Sequence, residues 1–328
     1  MTALIDGLGR RMDYLRLSVI DRCNLRCHYC MGADPDFLPK DEVLSLEELA
    51  RLSRLFIRLG VRKIRLTGGE PLVRRDILTL VRELGSEAAA GRLAEVTLTT
   101  NGTRLTRHAA DLAAAGMRRI NVSVDSLDPA TFSRITRGGQ LEQVLDGIAA
   151  AKEAGLEVKV NMVVMPGTEV AEIDRLIAWC GQHGHDLTLI ETMPLGALSN
   201  LDASAHSLGQ VHRELDRRWT LVHTDYRSGG PARYATIAET GRRLGVITPM
   251  SQGFCDSCSR LRVTCIGQMV LCLGHEDGID LRAPLRGAVS DEELADIIKR
   301  ALGQKAHGHA FLTAQERPRN RPMHQLGG

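Results

Sequence analysis

DYLRLSVIDRCNLRCHYC, residues 13–30, decides the reading of the fold: a short apolar stretch over residues 14–20 runs straight into a polar loop carrying Cys23, Cys27 and Cys30. Asp21, Arg22 and Asn24 make that loop a poor buried strand, and a turn can fold three thiolates at this spacing toward one soft metal site. Three sulfurs leave the fourth ligand position vacant. A structural zinc site is the plain alternative, and a redox dithiol through Cys27 and Cys30 would leave Cys23 without a use.

Outward from this stretch, the first two thirds of the chain repeat a strand and a helix. Apolar stretches at 14–20, 64–67, 95–100, 119–125, 157–164 and 187–191 are strand-sized. Segments near 46–59, 74–85, 105–115, 140–154 and 169–181 carry apolar residues at helical spacing. Six such units predict a parallel α/β architecture, a barrel or an open sheet, and periodicity does not choose between them. After residue 190 the composition changes. A helix near 207–217 and short strands at 261–263 and 269–273 are expected there, with a terminal segment, QERPRNRPMHQLGG, that is mobile until it docks. We therefore divide the chain approximately into 1–190 and 191–328.

Composition narrows the function. The 328 residues are 43% hydrophobic and 25% charged, which predicts a soluble globular protein. The formal charge of +2 gives no long-range attraction to nucleic acid or membrane, so an anionic ligand must be met by local basic groups. At 3% aromatics, a broad stacking surface for single-stranded nucleic acid is unpromising. The N-terminal residues 1–20 hold no long hydrophobic segment of signal or membrane type, and the expected location is the cytoplasm. The eight cysteines cluster in a way that fits thiolate ligation in a reducing compartment better than disulfides.

Polar motifs follow the expected strands in turn: GGEP at 68–71, TNG at 100–102 and NVSVDSL at 121–127. Ligands collect at the carboxyl ends of parallel strands, so these motifs are expected to line one cavity with the cysteine loop. In GGEP, Gly68 and Gly69 permit close backbone approach, Glu70 accepts hydrogen bonds and Pro71 fixes the exit. Thr100, Ser123 and Asp125 are further candidates for ligand contacts. A second cysteine group, GFCDSCSRLRVTCIGQMVLCLG at 253–274, holds Cys255, Cys258, Cys265 and Cys272. A four-cysteine zinc site fits it as well as a three-cysteine iron–sulfur cluster that leaves Cys265 apart. Arg260 and Arg262 alternate beside Cys258, which can place both guanidinium groups on one side of a strand facing an anion.

CNLRCHYC, with its CxxxCxxC spacing and Tyr29 before the last cysteine, resembles the signature of the radical S-adenosylmethionine family, and GGEP strengthens the likeness. Together with the C-terminal cysteines, the chain resembles the GTP 3′,8-cyclase family within it, from residue 13 to the terminal glycines. The resemblance implies an incomplete (β/α)6 barrel followed by an auxiliary-cluster region. It implies two [4Fe-4S] clusters, one on Cys23, Cys27 and Cys30, the other on Cys255, Cys258 and Cys272, with Cys265 matching no ligand. It implies S-adenosylmethionine held near Tyr29, Gly68, Gly69, Glu70, Thr100, Ser123 and Met193, and GTP held near Arg16, Lys63, Arg65, Lys159, Asn161, Arg260 and Arg262. In the family, a 5′-deoxyadenosyl radical takes hydrogen from C3′ of GTP, and C3′ then attacks C8. Arg260, Arg262, Gly327 and Gly328 match residues that support this catalysis. A protein reductant, a downstream cyclic pyranopterin synthase and a homodimer are the implied partners. Other readings remain open at this point: a radical enzyme that modifies a peptide, a zinc-stabilised binding protein, and a dinucleotide-binding enzyme, which GGEP fits poorly.

Overall fold

The computed structural model describes residues 3–199, 208–276, 278–311 and 322–327. Six strands lie where the repeating units place them: β1 (Tyr14–Ser18), β2 (Lys63–Thr67), β3 (Glu95–Thr100), β4 (Arg119–Ser123), β5 (Glu157–Val164) and β6 (Asp186–Glu191). They pair in serial order and all run parallel. Helices fill the connections. Leu46–Arg58 starts from a capping box between Ser45 and Glu48. Ile77–Ala89 starts later than the expected 74, because Pro71–Val73 forms a 3-10 turn first. Pro129–Thr136 is a helix that periodicity did not predict. Its signal is local: Asp128 accepts from the Thr131 amide at 2.8 Å, and Pro129 occupies the first turn.

The six strands share an alternation that decides what the sheet encloses. Leu15, Leu17, Ile64, Leu66, Val96, Leu98, Ile120, Val122, Val158 and Val160 belong to the apolar core. Between them stand Arg16, Arg65, Thr99, Asn121, Ser123, Lys159 and Asn161, which face a cavity on the opposite side. A parallel strand packed apolar on both faces reads as a continuous hydrophobic run; period-two alternation here means that one face meets a polar interior.

The remaining strands extend both edges of the same sheet. They are β7 (Leu221–His223), β8 (Arg233–Ile237), β9 (Arg243–Ile247), β10 (Arg260–Val263), β11 (Gln268–Val270) and β12 (Gly278–Asp280). β9 pairs parallel with β6 and carries β8 and β7 antiparallel beyond it. β10 pairs parallel with β1 and carries β11 and β12 beyond it. The register sets Arg16 level with Arg262 on one side and Arg65 on the other, with Tyr14 level with Arg260 and Lys63. The strand expected at 269–273 ends at Val270, which releases Leu271 and Cys272 into a loop. Among the described residues, no helix is long and apolar enough to cross a membrane.

Outside the sheet, helix packing depends on one close approach. A Cβ on Gly85 would stand 1.8 Å from the Ala115 carbonyl oxygen, just past the helix Leu105–Ala114. Gly85→Ala should therefore force the two helices apart and cost about 1–3 kcal/mol of stability, read as a lower urea midpoint. An unchanged midpoint would mean that this contact adds nothing to the fold.

Candidate functional site

Cys23, Cys27 and Cys30 sit in the loop that leaves β1 and line one part of the cavity. Cys23 Sγ accepts from the Leu25 amide at 3.4 Å and from Asn101 Nδ2 at 3.7 Å. Burial pushes all three thiols above the ordinary value, Cys30 to about 12. A bound metal supplies the positive charge that burial withholds, so this donor set fits a group that keeps thiolates ionised.

GGEP explains itself by what it touches. Gly69 N donates to the Ile20 carbonyl at 2.7 Å, and Glu70 N donates to the Arg22 carbonyl at 2.9 Å. A Cβ on Gly69 would meet the Arg22 and Asp21 carbonyl oxygens at 2.4 and 2.5 Å, and Gly68 at φ +155° lies as close to Ile20. The two glycines therefore let this turn lie flat against the backbone that leads into Cys23, and both also line the cavity. Glu70 is fully buried beneath them. Its carboxylate accepts from Leu72 N, Thr100 Oγ1 and Asn101 N at 2.7–2.9 Å, and burial still pushes it up to about 7. Tyr29 donates to Asp125 at 2.8 Å, and Asp125, raised by burial to about 6, also accepts from the Val163 amide. Thr100, Ser123 and Met193 also line the cavity.

The cavity floor is basic. Arg16, Arg65, Lys159, Arg260 and Arg262 all line it. Burial and the neighbouring guanidinium groups push Arg16 well below its ordinary value and Arg262 down to about 10. Arg65 is 9% exposed, and its Nε has no hydrogen-bond partner among the described residues. Burial, with Arg119, Arg65 and Lys63 nearby, lowers Lys159 to about 7, and its ammonium donates to the Tyr234 hydroxyl. Lys63 differs from the others: its ammonium pairs with Glu95 at 2.6 Å, donates to the Ser228 carbonyl, and does not line the cavity. Asn161 Oδ1 accepts from Asn121 Nδ2 at 3.2 Å.

The terminal segment enters this floor. Gly327 offers its carbonyl to Arg16 Nη2 at 3.1 Å and to Arg262 Nη1 at 3.3 Å. Its φ is +77°, and a Cβ there would stand 2.3 Å from Thr67 Oγ1, so only glycine fits. Met323 lines the cavity and His324 is buried. Gly328 lies outside the described residues.

Cys255, Cys258 and Cys272 line another part of the same cavity. Burial would raise the Cys258 thiol, but Arg260 and Lys305 outweigh it, and the pKa falls below the ordinary value. Cys265 is fully buried outside the cavity lining. Among the described residues, no three His, Cys, Asp or Glu side chains converge on a single metal ion. A polynuclear cluster binds each thiolate through a different iron, so three sulfurs around an open cavity fit it better than one tetrahedral ion. The cavity holding both triplets spans about 2100 Å³, open mouth included.

Several residues here escaped the sequence reading. Tyr14 is buried among cations: burial raises its phenol, yet Arg65, Arg16, Lys63 and Arg260 outweigh it and lower the pKa. Its place at alternating spacing with Arg16 was the available signal. Tyr234 and Lys305 also line the cavity, beside Asn101 and Asn121 from the TNG and NVSVDSL motifs expected there, and Arg10 braces it from outside. Arg10 pairs with Asp6 at 2.6 Å and donates to the carbonyls of Cys255, Ala306 and His307 at 2.7–2.8 Å.

The model of the Radical SAM superfamily matches residues 17–180, and that of Molybdenum Cofactor Synthesis C matches residues 185–311. A relative from Rhizobium meliloti (strain 1021), named GTP 3′,8-cyclase, is 53% identical over 321 residues, covering 97% of this chain and 91% of its own. One of the same name from Caulobacter vibrioides is 52% identical over 328 residues, covering 99% and 94%. Among solved structures, Streptococcus suis SuiB bound to precursor peptide SuiA superposes with a TM-score of 0.66 at 15% identity, over 96% of this chain and 76% of that one. At that identity the likeness concerns the fold alone.

The Arg10 brace gives a prediction that needs no bound metal. Hydrogen bonds from a charged donor are worth roughly 1.5–3 kcal/mol, so Arg10→Gln should speed amide hydrogen exchange in residues 253–258 and 303–309 by about tenfold or more. Unchanged exchange there would show that the brace is dispensable.

Proposed function

We infer the chemistry of the cavity from one premise: the chain belongs to the GTP 3′,8-cyclase family of radical S-adenosylmethionine enzymes. It converts GTP to (8S)-3′,8-cyclo-7,8-dihydro-GTP in molybdenum cofactor biosynthesis. Bound together, S-adenosylmethionine and a reduced [4Fe-4S] cluster supply a 5′-deoxyadenosyl radical. Cys23, Cys27 and Cys30 are the residues we assign to that cluster. Cys255, Cys258 and Cys272 are assigned to a second one, which supports the guanine end of GTP. The observation that carries this reading is that both cysteine triplets and the basic floor line a single cavity.

What the protein's own residues contribute is placement. Arg65, buried with Nε unpartnered among the described residues, is the first candidate for the triphosphate, with Arg260, Arg262, Arg16 and Lys159 beside it. Lys63, neutralised by Glu95, acts by holding the Ser228 loop against the floor. Tyr29, Ser123, Thr100 and Met193 surround the S-adenosylmethionine end. Glu70 serves there mainly by fixing the turn that carries Asn101, with remaining acceptor capacity toward an ammonium. Asn161 is held by Asn121 toward the ribose region. The Gly327 carbonyl accepts from Arg16 and Arg262 and so fixes their guanidinium groups in the floor. Fixing C3′ near C8 in this way makes ring closure intramolecular in geometry as well as in connectivity.

The finer architecture follows the same reading. Six serial parallel strands support an incomplete (β/α)6 barrel over residues 1–190, and residues 191–328 add the auxiliary walls. A cytoplasmic homodimer served by a protein reductant and passing its product to cyclic pyranopterin synthase completes the proposal.

The direct test is anaerobic incubation of reconstituted protein with S-adenosylmethionine, reductant and GTP deuterated at C3′. Deuterium in 5′-deoxyadenosine together with cyclised nucleotide is expected. Formation of 5′-deoxyadenosine without label or cyclised product would reject GTP as the substrate held here.

Two further outcomes follow from the floor. Arg65→Met should reduce kcat/KM for GTP by roughly 10- to 100-fold, since a lost charged hydrogen bond costs about 1.5–3 kcal/mol; an unchanged value would move the triphosphate elsewhere. Lys159, with a pKa of about 7, is mostly neutral at pH 8 in the free chain. A polyanion raises that pKa, so GTP binding at pH 8 should take up a proton, seen as buffer-dependent calorimetric heats that vanish in Lys159→Met. Heats independent of buffer would remove Lys159 from the phosphate site.

A further inference from the structure

Lys305 lies after the helix Asp291–Leu302 and turns back under the C-terminal cysteines. It is 6% exposed, and its ammonium donates to the carbonyl of Leu271, the residue before Cys272. The same segment brings Gly308 against the cysteines: its carbonyl oxygen is 3.8 Å from Cys272 Sγ, and a Cβ on it would stand 3.8 Å from Cys255 Sγ. Arg10 ties Ala306 and His307 to the carbonyl of Cys255.

Charge makes this placement informative. A buried ammonium is costly unless an opposite charge compensates it. Among the described residues, no carboxylate forms an ion pair with Lys305. The charges that favour it are those of Cys258 and Cys272, while Arg10 and Arg260 oppose it. Neutral thiols would leave the ammonium without compensation; thiolates held ionised by bound metal would supply it.

We propose that Lys305 is a positioning residue that balances the charge of a cluster on Cys255, Cys258 and Cys272 and thereby sets how readily that cluster accepts an electron. This rests on the assignment of those cysteines to a second cluster. A cluster carrying three thiolates is net negative and becomes more so on reduction, so a nearby buried cation favours the reduced form and raises its potential. Arg260 also acts on Cys258, through its charge and a hydrogen bond, and stands level with Tyr14 in the floor. Lys305 is fixed separately from the arginine row, buried and donating to the Leu271 carbonyl.

The test compares Lys305→Gln, which keeps a donor for the Leu271 carbonyl without the charge, with Lys305→Arg, which keeps both. Each is made in the full chain, and also in a full chain carrying Cys23→Ala, Cys27→Ala and Cys30→Ala so that the C-terminal cluster is read alone. Iron and sulfide content comes first, then an anaerobic redox titration followed by electron paramagnetic resonance, then GTP kinetics. The expected result is a more negative potential in Lys305→Gln, a near-normal potential in Lys305→Arg, and about a tenfold or greater loss of kcat/KM in the glutamine variant alone. A folded Lys305→Gln chain that fails to load the C-terminal cluster while Lys305→Arg loads it would support the same charge requirement. An unshifted potential in Lys305→Gln, equal shifts in both variants, or failure of both to load would overturn the inference. If the parent triple-alanine chain binds no iron, the second-cluster assignment falls and this inference falls with it.

Discussion

Arg16 is held between Arg262 and Arg65 by the parallel register of β1 with β10 and β2, and the site depends on that arrangement of like charges. Buried guanidinium groups on neighbouring strands disfavour one another's charge, which is why Arg16 lies well below its ordinary value. The Gly327 carbonyl relieves part of this on Arg16 and Arg262. Arg65 Nε finds no such partner among the described residues. A bound polyanion would complete the balance, so local charge can meet a triphosphate on a chain whose net charge is only +2.

The strand alternation that produces this row was in the sequence, and it says more than the strand positions alone. Tyr14, Arg16, Lys63, Arg65, Asn121 and Lys159 alternate with core residues. A reading by strand length and flanking helices locates the strands but leaves barrel and open sheet undecided. The alternation itself marks the concave polar face. The edge strands were harder to read, because β7 and β12 are only three residues long and β7, β8 and β12 pair with β8, β9 and β11 rather than with the serial core strands. The helix Pro129–Thr136 was legible only from its cap.

Cysteine spacing singled out both triplets, and all six thiols line the one cavity. Arg10 and Lys305 were not legible in the same way. Each reaches the C-terminal triplet by donating to backbone carbonyls far away in sequence, and backbone acceptors leave no mark on residue type. GGEP shows the opposite case. Its glycines read as ligand-approach positions, yet their tightest contacts are with residues 20–22 of the cysteine loop. One turn thus serves as cavity wall and as brace for the loop that carries Cys23, Cys27 and Cys30.

The central claim is that one cavity holds two clusters, with GTP between them. Crystals of anaerobically reconstituted protein, measured on either side of the iron absorption edge, test it most directly. The account predicts two separate iron sites, one bounded by Cys23, Cys27 and Cys30 and the other by Cys255, Cys258 and Cys272, with Cys265 unligated. A single iron site at the N-terminal triplet, or a zinc signal on a set that includes Cys265, would contradict it.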